Sequence, residues 1–97
     1  MSEALPRLGQ WRHFGTREVF EARAWAAAGG VAVHENLFKF RGRRTCHLLA
    51  RSERELVAAA VSVGCSASWI QRTRTLHFDL VEIYLERALL RCARDAP

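Results

Sequence analysis

The sequence predicts a single small α/β or α+β domain with three main helices and a small sheet of two to four strands. Three observations carry that prediction. A chain of 97 residues is long enough for one hydrophobic core and too short for two. Its apolar share of 49% is that of a globular protein rather than a disordered one. Helix-capping signals also alternate along it with short β-prone runs. Residues 1–15 read as an N-terminal arm and residues 16–97 as the globular domain, with no repeat or linker dividing it.

Pro6, Gly9 and Gly15 give the arm its turn-forming character, and Trp11 and Phe14 are the residues able to pin it to the body. Thr16 is the expected N-cap of a first helix over residues 17–28, with Glu18 and Glu21 near its positive end. Phe20, Ala24 and Ala27 form its apolar stripe, and Gly29-Gly30 ends it. Residues 31–33 are a β-prone run. Residues 37–40 are a second, with Lys39 between two rings in strand alternation. Arg41-Gly42-Arg43-Arg44 is a basic turn before a strand over residues 45–50, whose paired leucines predict cover on both faces.

Ser52 and Glu55 make an S-x-x-E capping box. It opens a helix over residues 53–63 with Leu56, Ala60 and Val63 inward and Gly64 as its stop. Residues 66–71 form a short turn expected to bury Trp69. Asp79 and Glu82 repeat the capping pattern as D-x-x-E and predict a last helix over residues 80–93. Val81, Leu85, Ala88 and Cys92 are its expected inner face.

No apolar run approaches the roughly 20 residues a membrane span needs, and no signal-peptide pattern opens the chain. The expected location is the cytoplasm. Cys46, Cys65 and Cys92 are odd in number and lack C-x-x-C spacing, so they read as reduced, mostly buried thiols. The formal net charge is +5, and Arg supplies every cationic side chain except Lys39. Arginine forks suit phosphate, although a GC-rich genome produces the same Arg- and Ala-rich usage.

From Val31 onward a series of short motifs follows in order: Val31-Ala32-Val33-His34-Glu35, Cys46-His47-Leu48-Leu49, Trp69-Ile70-Gln71, His77-Phe78-Asp79 and Arg87-Ala88-Leu89. In this order and spacing the chain resembles a small bacterial and phage domain family of unknown function, over about Val31 to Ala93. The family pattern has Val-Tyr-Val-Asp-Asp, Cys/Ser-His, Trp-(Ile/Phe)-Gln and His-Tyr-Asp. Here His34-Glu35 stands at the paired aspartates and Phe78 at the tyrosine. The resemblance implies a phage-associated setting and names no reaction.

The candidate catalytic residues are His47, His77 and Asp79, because imidazole and carboxylate pass protons near neutral pH or hold a divalent ion. His34 and Glu35 are weaker additions. No ligand spacing of a known metal motif is present, so no metal ligand is assigned and no cofactor is named. Each residue has a plainer reading: Asp79 as a helix cap, His47 as a hydrogen-bonded core histidine, Trp69 as a core anchor. Gln71, Arg43, Arg44, Arg72 and Arg74 are candidate ligand-binding residues; the arginines and the nearby rings of Phe38 and Phe40 suit phosphate and stacked bases.

Three functions stay open. One is a domain that binds a phosphate-bearing ligand or nucleic acid and processes it at a His/Asp site. The others are a catalytically inert module for a protein partner and a metal-dependent hydrolase. The expected site geometry is convergence of His47, His77 and Asp79 where two helix N-termini meet the sheet.

Overall fold

The computed structural model describes residues 5–97. Strand β1 (Trp11–Phe14) leads through helix α1 (Val19–Ala27) to β2 (Val31–Glu35), which pairs with it in parallel. β2 turns back into β3 (Cys46–Leu49), antiparallel to it. Helix α2 (Glu53–Ser62) and a 3₁₀ turn (Ala67–Trp69) then lead to β4 (Gln71–Arg72) and β5 (Leu76–Leu80). Helix α3 (Glu82–Asp95) ends the domain. The sheet order is β1-β2-β3-β5-β4.

The fold is a small α+β domain with, among the described residues, three α-helices and five strands, more strands than the two to four expected. β2 and β3 fall on expected runs, whereas β1, β4 and β5 lie where the sequence predicts no strand, β5 running into the expected start of the last helix. β4 has two residues. β1 falls in the segment expected as an arm; Met1 to Ala4 of that arm lie outside the described residues. Trp11 and Phe14 on β1 are both buried, one on each face of the sheet.

Strand alternation sorts the core into two layers. On one face, Trp11, Val33, Leu48, Phe78 and Leu80 pack with Leu56 and Ala60 of α2 and Leu85 and Ala88 of α3. On the other, Phe14, Ala32 and Leu49 pack against Ala22, Trp25 and Ala26 of α1. α1 meets β1, β2 and β3, so the β5–β4 side of that face has no helix over it among the described residues.

Several local expectations are corrected. The N-cap position of α1 is Glu18 instead of Thr16 and has no side-chain cap: the Glu18 carboxylate turns back to accept from the Gly15 N–H at 2.8 Å, and Thr16 stays in the turn. Its buried stripe is Ala22, Trp25 and Ala26, while Phe20 is exposed. Trp25 takes the inner face because its indole packs edge-on to Phe14 at 6.1 Å and donates to the Gln10 carbonyl.

Residues 37–40 do not form a strand. The Phe38 N–H bonds Asn36 Oδ1, and Phe40 and Arg43 close a tight turn with positive φ at Arg41 and Gly42, the type I′ signature. Leu37, Phe38 and Phe40 are exposed there. Trp69 is half exposed, edge-on to Tyr84 at 5.3 Å, not buried.

α2 follows its prediction: Ser52 Oγ accepts from the Glu55 N–H at 3.2 Å. The D-x-x-E motif does not. Asp79 lies inside β5, opposite His47, and α3 starts at Glu82 with Val81 as its N-cap and no side-chain cap. Pairing with β3 carries β5 through Leu80 and leaves the Asp79 side chain free of capping.

Candidate functional site

β2, β3 and β5 place their polar residues on one face by register. His34 is opposite His47, and His47 is opposite Asp79. His77, two residues before Asp79, shares its face. The result is a row of imidazoles across three strands: His34 and His47 have ring centroids 6.3 Å apart, and His47 and His77 4.6 Å apart. His47 Nε2 and His77 Nε2 approach the same carboxylate oxygen, Asp79 Oδ1, at 3.4 and 3.3 Å. His47, His77 and Asp79 thus converge as expected, but sheet pairing brings them together. No pair of helix N-termini is involved.

Each ring is held by a second contact. His77 Nδ1 donates to the Thr75 carbonyl at 2.9 Å, and His34 Nε2 to the Thr16 carbonyl at 3.3 Å. Asn36 Nδ2 lies 3.2 Å from His47 Nε2. Burial, then the neighbouring His77, lower the pKa of His47 below the usual histidine value. Both effects favour the neutral ring.

His34, His47 and His77 border a cavity of about 420 Å³ between α1 and the sheet. Arg23 of α1 and Arg74 of the β4–β5 turn complete its charged wall. Neither arginine has a carboxylate partner among the described residues. Asp79 is not part of that wall.

The other sequence candidates divide. Gln71 is opposite His77 in register, exposed and on the same face. Arg72 alternates to the other face, where it forks onto Glu53 at 2.7 and 3.0 Å. Arg43 stays exposed in the 40–43 turn. Glu35 does not join the site: as the neighbour of His34 on a strand it faces the opposite side. There Arg44 forks onto its carboxylate at 2.8 Å, His13 Nε2 approaches at 2.9 Å, and the Cys46 thiol donates at 3.4 Å.

The Arg44 hydrogen bonds, against the effect of burial, pull the Glu35 pKa down to about 2. Burial foremost pushes the Cys46 thiol up to about 12. This second cluster is a closed, neutralised network. Sequence reasoning missed Arg23, which reaches the cavity only because α1 folds over the sheet; no local pattern signals that.

No curated protein and no solved structure matches the chain. A family model does, over residues 31–96, from the first residue of β2 to beyond the end of α3. β1 and α1, and with α1 the Arg23 side of the cavity, fall outside that match. The matched stretch contains His34, His47, His77 and Asp79, and the chain belongs to DUF4031, a family of proteins of unknown function.

Proposed function

We propose that this domain binds a phosphate-bearing ligand in the cavity between α1 and the sheet. The carrying observation is the convergence of Arg23 and Arg74, neither with a carboxylate partner among the described residues, on one recess with three imidazoles. Guanidinium forks bind phosphate oxygens bidentately. A volume of about 420 Å³ falls within the range of small-molecule sites and suits a phosphomonoester or a nucleotide. The net charge of +5 draws anions toward the surface.

Nucleic acid is a second reading, supported by one feature. Exposed Phe38 and Phe40 stand beside Lys39, Arg41 and Arg43 in the turn that follows Asn36, with Arg41 over the Phe40 ring at 5.2 Å. Exposed rings and cations together suit stacked bases and a phosphate backbone.

Calorimetric titration with inorganic phosphate, AMP and a short single-stranded oligonucleotide tests both. Cavity binding predicts saturable AMP binding that weakens with salt and is lost in Arg23→Gln/Arg74→Gln. Arg72→Gln, whose wild-type side chain is engaged with Glu53, leaves it unchanged. AMP binding that survives the double variant, or no binding at low salt, overturns the cavity reading. Oligonucleotide binding lost with Phe38→Ala/Phe40→Ala would move the function to the turn.

A further inference from the structure

We propose that His47, His77 and Asp79 bind one divalent transition-metal ion of the zinc class. This goes beyond phosphate binding and stands without it.

Hydrogen-bond logic comes first. A carbonyl oxygen only accepts, so His77 Nδ1, 2.9 Å from the Thr75 carbonyl, carries the proton. That leaves Nε2 as the ring nitrogen turned toward Asp79 and available to ligate. The Asn36 amide is oriented by its Oδ1, which accepts from the Phe38 N–H at 3.1 Å. Its NH₂ group therefore faces His47 Nε2 at 3.2 Å and marks that nitrogen as an acceptor. Both ring nitrogens lie against one carboxylate oxygen, Asp79 Oδ1. Two imidazole nitrogens and a carboxylate oxygen facing one point call for positive charge among them. A proton joins only two of the three; a metal ion serves them all.

Distance comes second. With metal–ligand bonds of about 2.0–2.1 Å, the edge of a coordination tetrahedron is about 3.3–3.4 Å. The two imidazole-to-carboxylate separations are 3.4 and 3.3 Å. One ligating atom from each of the three residues lies within 4.8 Å of the others. Three protein ligands leave a fourth position for water, the pattern of catalytic zinc sites.

The surroundings agree. A ligating histidine typically donates its other N–H to a carbonyl or carboxylate, as His77 does to Thr75. All three ligands sit on paired strands, which hold geometry better than loops. Two nitrogens and one oxygen favour zinc and its neighbours over magnesium or calcium, which take oxygen ligands.

The other cluster makes the contrast. Ligating atoms of His13, Glu35 and Cys46 are also within 4.8 Å of one another. There Arg44 already neutralises the carboxylate and the Cys46 thiol is fully buried and protonated, so a cation is repelled.

The test uses the full chain stripped with a chelator. Zinc competition against a chromophoric chelator is expected to give one equivalent. His77→Ala and Asp79→Asn should each weaken binding by more than about 100-fold, beyond the 10–100-fold that loss of an outer-shell partner causes. His13→Ala should leave it unchanged.

Cobalt added to the wild-type protein gives a readout that does not depend on variant folding. It should show the intense visible bands of four-coordinate cobalt without thiolate charge transfer. No saturable one-equivalent binding, a thiolate band, or undiminished affinity in folded His77→Ala overturns the proposal. AMP binding measured on the stripped protein reads the phosphate site separately, so either can fail alone.

Discussion

His34 and Glu35 are neighbours on β2 and serve opposite faces of the sheet. His34 borders the cavity under α1, whereas Glu35 is clamped by Arg44 and His13 on the α2–α3 face. Glu35 ionises at about 2 in the fold against an ordinary value of 4.5. A depressed carboxylate pKa stabilises the fold above the unfolded value, and that stabilisation is lost as pH falls from about 4.5 toward about 2. Because the Arg44 side chain is 49% exposed, solvent screening limits the effect to the order of 1–2 kcal/mol. Urea unfolding across that pH window should show it, and Glu35→Gln should flatten the slope. Histidine and carboxylate at positions 47, 77 and 79 were legible from residue type and motif alone. Their mutual distance was not, because it depends on which strand pairs with which and in what register.

At the scale of elements, α2 was the most legible because its signals are local. Ser52 supplies the cap, and Leu56, Ala60 and Val63 make one buried stripe ended by Gly64 in the left-handed region. The box is half formed: the Glu55 carboxylate pairs with Arg51 at 2.9 Å, four residues before it. Ser52→Ala should cost about 0.5–2 kcal/mol in chemical unfolding. α1 was read on the wrong face because a helix stripe gives periodicity without saying which long-range partner wins it. Trp25 won through Phe14 and Gln10. Its indole also crowds Gly30, where an added Cβ would run into the ring. Gly30→Ala should therefore destabilise by about 1–3 kcal/mol and perturb tryptophan fluorescence. Asp79 shows the opposite failure: a valid local capping pattern was overridden when β5 extended along β3.

Across the whole molecule, the class, the helix count and strands β2 and β3 followed from the alternation of patterns, while β1, β4 and β5 did not. β1 is parallel to β2 and needs the α1 crossover before it can pair. β4 is too short to carry a pattern. The charge distribution follows the same architecture: Arg44 and Arg72 are engaged on the α2–α3 face and Arg74 reaches the cavity. Substituting Arg74 should consequently flatten the salt dependence of phosphate binding more than substituting Arg44 or Arg72. The sheet order also has a kinetic meaning. β3 is the middle strand, with β2 and β5 on its flanks, so its amides should exchange with solvent only through global opening. β4 and the outer edge of β1 should exchange through local fraying. His47 rides on that slowest-opening strand, while His77 and Asp79 lie one strand closer to the short edge. A breathing motion that peels β4 and β5 would separate the three side chains long before the domain unfolds. The lifetime of the cluster is then set by the protection of the β5 amides, a quantity that deuterium exchange reads residue by residue.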